Sequence, residues 1–208
     1  MTTPQSLKSR DAPDKVLTGS YDIANEFNNF FTNIGPELAR KIHPSVNFNH
    51  YLTGNFPSSF FLQAVTEQDI MKFIYRLDPN KAMGHDHVHP KLVIDAVKYI
   101  SKPLAHILKC SIAQGVFPDS LKLATITPVY KKGSALDVGN YRPISILPVF
   151  SKIFESAVNH QLLGFLNKFN ILLSSQYGFR KKYSTALALV DLVSDITANM
   201  DNGFVTFG

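Results

Sequence analysis

The chain has 208 residues, a net charge of +5, mean hydropathy near zero and one cysteine. That length can bury a real core, and the apolar content excludes a wholly disordered chain. A lone Cys110 excludes an intramolecular disulfide and fits a reducing, intracellular setting, and no apolar run approaches a membrane span. The basic balance, with pI about 9.2, favours a polyanionic partner.

Residues 1–19, rich in Ser, Thr, Pro and charge, read as a disordered lead-in. From Asp22 the apolar positions Ile23, Phe27, Phe30, Phe31, Ile34 and Leu38 make a helical stripe, which Gly35-Pro36 is expected to break in two. Residues 20–65 thus form a helical extension, with a linker over 43–63. Thr66 caps the next helix, with Ile70, Phe73, Ile74 and Leu77 on one side and Glu67 and Asp69 in the first turn. The loop DPNKAMGHDHVHP delivers Pro90 as first residue of a helix that runs to Gln114 and stops at Gly115.

Two β-leaning runs, LATITPVYKK and YRPISIL, flank the loop Gly133 to Asn140 and predict a hairpin. Pro128 and Pro143 cannot donate ladder hydrogen bonds, so these are edge or ribbon strands. A long helix follows, with Ser151 as its cap and Ile153, Phe154, Ala157, Val158, Leu162, Phe165 and Leu166 on its apolar side. After the loop QYGFRKKYST, Ser184 or Thr185 opens a last helix with Leu189, Val190, Val193, Ile196 and Met200 on its buried side. Gly203 ends it, and FVTF reads as a new strand, inside which a longer protein would continue.

Several residues could carry chemistry. Lys131, Lys132 and Arg142 surround the hairpin loop, where Arg binds phosphate bidentately and Lys adds a mobile charge. Strand alternation lets only one of the two lysines share a face with Arg142, and the sequence leaves open which. Arg180, Lys181 and Lys182 lie among Tyr177, Phe179 and Tyr183, a mixture that suits a nucleic-acid strand. His85, His87 and His89 would share one face of an extended segment and could bind a metal, but they lack a fourth ligand. Cys110 reads as a buried thiol, and Asp191 and Asp195 as a solvated face. No phosphate-binding glycine loop, nucleophile elbow or HExxH motif is present.

Five segments, in this order, resemble the N-terminal part of the reverse transcriptases of non-LTR retrotransposons of the LINE, jockey-like kind. They are IANEFNNFFTNIGPELA, LDPNKAMGHDHVHPKLV, GVFPDSLKLATITPVYKKG, NYRPISILPVFSKIFE and QYGFRKKYST, spread over residues 23–185. The resemblance implies an α+β, mostly helical fold: the fingers and start of the palm of a right-hand polymerase, over residues 66–208. It implies that the hairpin of Lys131, Lys132 and Arg142 folds over an incoming deoxynucleoside triphosphate. Gln176, Gly178, Phe179 and Arg180 match a segment near the template strand. Asn140, Pro143, Lys152 and Glu155 match positions with structural roles in turn, strand edge and helix entry.

The implied partners are an RNA template, a DNA primer and dNTP, in the cytoplasm and nucleus as a ribonucleoprotein. The family's catalytic carboxylates, which hold Mg²⁺, are expected beyond Gly208, with the rest of palm and thumb. No catalytic or metal-binding residue is therefore assigned within this chain, which alone is expected to polymerise nothing. The alternative from another class is a non-catalytic RNA- or DNA-binding module derived from a decayed element.

Overall fold

A computed structural model describes residues 4–10, 12, 14–42 and 58–205. The chain divides into two units, residues 1–159 and 160–208. Their boundary falls inside the helix over residues 149–168.

The first unit is built on two clusters of buried side chains. The larger gathers Ile70, Phe73 and Ile74 of α2 (Glu67–Tyr75), Val93 of α3 (Pro90–Asp95), Val97 and Leu108 of α4 (Val97–Gln114), and Val149, Ile153, Phe154 and Ala157 of α5 (Val149–Lys168). Thr66 caps α2 as expected: its hydroxyl accepts from the Asp69 N–H at 3.2 Å, and Asp69 reaches back to the Thr66 N–H at 3.3 Å. Two buried hydroxyls join elements that the apolar contacts alone would let slide. Ser101 Oγ donates to Glu67 Oε1 at 2.9 Å, and Ser151 Oγ donates to the Leu121 carbonyl at 2.7 Å. Ser151 is therefore not the cap of α5; the helix starts two residues earlier and turns this hydroxyl inward.

The loop from Lys81 to Asp86 has a packing reason for its glycine. A Cβ at Gly84 would stand 2.6 Å from the backbone nitrogen of Pro148 and 2.9 Å from the Leu147 carbonyl carbon. Only a bare α-carbon lets this loop lie against the entrance to α5. The turn closes through His87 N–H to the Gly84 carbonyl, with His87 at φ +56°, and His89 Nδ1 accepts from the Lys91 N–H at 3.2 Å to cap α3. The three histidines thus lie on a turn and a helix cap, not along the extended segment that metal binding assumed.

The second cluster holds Leu7, Leu17, Ile23, Phe27, Val138 and Tyr141. Leu7 and Leu17 sit opposite one another in β1 (Leu7–Lys8) and β2 (Val16–Leu17), and Leu7 is fully buried. Here the lead-in read as disordered carries order, because a few apolar side chains suffice when a partner surface is waiting. That surface is α1 (Ser20–Ala39), which runs unbroken through Gly35-Pro36. Pro36 lies in the last turn, where water can satisfy the exposed carbonyl it frees, so no break results. The linker reading over 43–63 falls largely outside the described residues.

The helix expected over 90–114 is two helices, since Ala96 (φ −87°, ψ 2°) interrupts it without any sequence signal. Gly115 terminates α4 in the left-handed conformation at φ +66°. The hairpin forms as expected from β3 (Thr125–Tyr130) and β4 (Tyr141–Ile146), a two-stranded antiparallel ribbon.

In the second unit Ser184 caps α6 (Thr185–Asp201), accepting from the Leu187 N–H at 3.2 Å, and Gly203 follows its end at φ +74°. Its expected buried side is not buried: Leu189, Val190, Val193 and Met200 are exposed. Periodicity identifies an apolar face but cannot supply the layer that covers it. Phe204 and Val205 form no strand, and residues 206–208 lie outside the described residues. The α+β, mostly helical class holds, with two small antiparallel sheets.

Gly84→Ala should destabilise the chain by about 1–3 kcal/mol, because the atoms it meets are backbone; a urea midpoint equal to the parent would contradict this. Thr66→Ala should cost about 1 kcal/mol at neutral pH. The hydrogen bonds from Thr66 and then Lys72 hold the Asp69 carboxyl below its ordinary value. That contribution is complete above the usual Asp range and fades as the pH falls through the lowered value. The stability difference between the parent and Thr66→Ala, from urea titrations across acid pH, should shrink accordingly.

Candidate functional site

The hairpin loop is held by a set of internal hydrogen bonds. Asn140 Nδ2 donates to the Ser134 carbonyl at 3.0 Å, Tyr141 Oη to the Ala135 carbonyl at 2.7 Å, and Asp137 Oδ1 accepts from the Gly139 N–H at 2.9 Å. Tyr130 Oη closes on the Gly133 carbonyl, and Gly133 at φ +92° lies so near the Asn140 side chain that a Cβ would stand 2.7 Å from its nitrogen. The side chains of GSALDVGNY therefore define one loop shape.

That loop is also plugged into the N-terminal cluster. Val138 at its tip is 2 % exposed. The Tyr141 ring meets Phe27 edge-on at 4.9 Å between centroids and Tyr130 at 5.6 Å. Burial, then the neighbouring Tyr130, raises the Tyr141 phenol above its ordinary pKa. A backbone hydrogen bond from Lys8 N–H to the Leu136 carbonyl at 2.8 Å ties β1 to the loop. Arg10 in turn grips α1: its N–H donates to Glu26, its guanidinium reaches Glu37 at 3.5 Å and lies 5.0 Å over Phe30. Sequence reasoning missed this clasp; its signals were the aromatic density at 27, 30 and 31 and the isolated leucines at 7 and 17.

The register settles which lysine accompanies the arginine. Val129 pairs with Arg142 and Tyr130 with Tyr141. Lys131 N–H continues the ladder to the Asn140 carbonyl at 2.8 Å, so alternation places Lys131 on the face of Val129 and Arg142. Lys132 lies beyond the ladder. The opposite face carries Tyr130 and the buried Tyr141. Counting from Lys131, Pro128 and Pro143 face each other at a non-hydrogen-bonded position, where neither costs the ladder a donor. Lys131, Lys132 and Arg142 are all exposed.

In the second unit, Arg180 is already engaged. Its guanidinium donates to the Leu173 carbonyl at 2.8 Å and the Gln176 carbonyl at 3.4 Å, and stacks 4.1 Å over the Tyr183 ring. Tyr177 and Tyr183 rings lie 5.7 Å apart, and Tyr177 Oη donates to Asp191, which raises the Tyr177 pKa. Asp191 of α6, read as a solvated face, thus ties the helix to the loop through Tyr177. Phe179 is fully exposed, at φ +59°, while the position of a Cβ on Gly178 meets nothing within 4 Å. Cys110 is half-buried, with Sγ 3.7 Å from His106 Nε2, rather than buried among apolar side chains.

For the Mg²⁺ that the resemblance implies, the described residues bring no three His, Cys, Asp or Glu side chains together. No chemical step is assigned to this chain. Among the described residues, no helix is long and apolar enough to cross a membrane.

No family model matches the chain. Its sequence is nevertheless related to a class of polymerase, the RNA-directed DNA polymerases of non-LTR mobile elements. It is 31% identical over 184 residues to the RNA-directed DNA polymerase from mobile element jockey of Drosophila melanogaster, covering 86% of this chain and 19% of that protein. It is 30% identical over 139 residues to the probable RNA-directed DNA polymerase from transposon X-element of the same species, covering 64% of this chain and 15% of that protein. The jockey polymerase of Drosophila funebris is 28% identical over 122 residues, covering 58% of this chain and 13% of that protein. The chain thus spans about a fifth or less of the length of these curated relatives.

Phe27→Ala should cost about 3–5 kcal/mol. Because Phe27 carries the hairpin loop, amide exchange at Lys131, Gly139 and Asn140 should accelerate more than in the helices of the larger cluster. Equal acceleration throughout would show that the clasp has no special hold on the loop.

Proposed function

We propose that the chain is the fingers and palm-entry part of an RNA-directed DNA polymerase of a non-LTR element. In that enzyme the hairpin contacts the triphosphate of an incoming deoxynucleotide. The observation that carries this reading is the placement of Lys131 and Arg142 on one exposed face of a ribbon whose opposite face is anchored through Tyr141. A bidentate guanidinium and a mobile ammonium on one side suit a polyphosphate. The hydrogen-bonded loop would hold them there before a ligand arrives, which lowers the ordering cost of binding.

Gln176, Gly178, Phe179 and Arg180 are assigned to the template side. Exposed Phe179 is the side chain available to stack on a base. Arg180 shapes the loop that presents it and would need to leave its carbonyl partners to meet a phosphate. The bare α-carbon of Gly178 leaves room for a strand to approach. RNA template, DNA primer and dNTP are the partners of this reading, and Mg²⁺ chemistry is assigned to parts of the enzyme other than these residues.

Binding of a fluorescent dNTP to the chain provides the test. Arg142→Ala and Lys131→Ala should each weaken it by about tenfold or more, as expected for loss of a charge-assisted hydrogen bond. Lys132→Ala should change it less than about twofold, since it lies off that face. Equal affinity in all three variants would overturn the reading. RNA affinity without any nucleotide affinity would favour a non-catalytic binding module.

A further inference from the structure

Helix α4 carries Lys98, Lys102 and Lys109 and no acidic residue in its 18 positions. With 3.6 residues per turn, the three lysines fall within roughly 40° of one another around the axis. Their α-carbons are spaced by about 6 Å and then about 10 Å along it. All three are exposed, and His106 and exposed Tyr99 lie along the same side of the stripe.

Lys72 of α2 and Lys91 of α3 each have an Asp three or four residues away within 3.2 Å, whereas Lys152 and Lys168 of α5, also without such an ion pair, stand 16 residues apart and form no stripe. Lys98, Lys102 and Lys109 have no such partner among the described residues. Asp95, three residues before Lys98, pairs with Lys91, and Glu67 accepts from Ser101 of α4. Lys98 and Lys102 moreover stand at i and i+4, where like charges oppose helix formation. A helix held only for its packing would gain from an acid at either place. The buried face of α4, with Val97, Ser101 and Leu108, is centred roughly 100° around the axis from the lysines.

We infer that this face of α4 is a docking surface for the phosphate backbone of an RNA strand. Evenly directed ammonium groups on a rigid helix recognise phosphates without reading sequence. The exposed Tyr99 ring at the edge of the stripe offers a stacking surface for a base. The choice of RNA rests on the polymerase reading above; the phosphate chemistry rests on α4 alone.

The test is fluorescence anisotropy of a labelled single-stranded RNA with the whole chain, across a salt titration. The triple variant Lys98→Ala/Lys102→Ala/Lys109→Ala should bind about tenfold or more weakly, and its log–log salt slope should fall by about 2, at roughly 0.7 per lost contact. A control with the same change in net charge, Lys72→Ala/Lys81→Ala/Lys122→Ala, should keep both affinity and slope. Thermal unfolding of each variant checks that the fold persists.

An unchanged triple variant, an equal loss in the control, or absence of RNA binding by the parent would overturn the inference. Tighter binding to single-stranded DNA of the same sequence would overturn the assignment to RNA. The hairpin reading is decided by nucleotide affinity at Arg142, so each can fail without the other.

Discussion

The contact between Tyr141, Val138 and the Phe27 ring is the constraint on which the hairpin depends. A two-stranded ribbon is marginal in water, because each strand has one partner and little to bury. Here the tip is plugged by Val138 and the first residue of the second strand is seated against α1. The base is fixed separately, where Gly84 lets its loop press against Leu147 and Pro148 just before α5. A ribbon held at both ends can carry charged side chains on its free face without collapsing onto them.

This arrangement gives the N-terminal residues a role that composition concealed. Leu7 and Leu17 are too few to announce a folded segment, and they become ordered by meeting an aromatic surface supplied by α1 and the loop. The connection also runs through polar groups. Arg10 fastens the segment to Glu26, Glu37 and Phe30, while the Lys8 amide holds the Leu136 carbonyl. Helix, clasp and hairpin loop are thus one mechanical unit despite their separation in sequence.

Local chemistry was legible where it acts locally. The Thr66 capping box, Pro90 at a helix start, Gly115 at a helix end, Ser184 as a cap and the hairpin strands all follow from residue type and spacing. What sequence could not give was anything set by a distant surface. Ser151 looked like a cap and is a buried tie to Leu121; Pro36 looked like a break and is absorbed in a last turn. The apolar face of α6 was visible, its exposure was not. For the site, the cations were legible, while the choice of Lys131 over Lys132 required the register, and the engagement of Arg180 required its carbonyl partners.

The facing prolines of the ribbon have a further consequence. At a non-hydrogen-bonded pair each residue would point its N–H away from its partner, toward the open edge of the ribbon. Pro128 and Pro143 remove that donor midway along both edges at once. A foreign strand attempting to extend the sheet on either side would meet a missing hydrogen bond and a projecting ring at its centre. The ribbon is thereby protected from edge-to-edge aggregation while its face stays open.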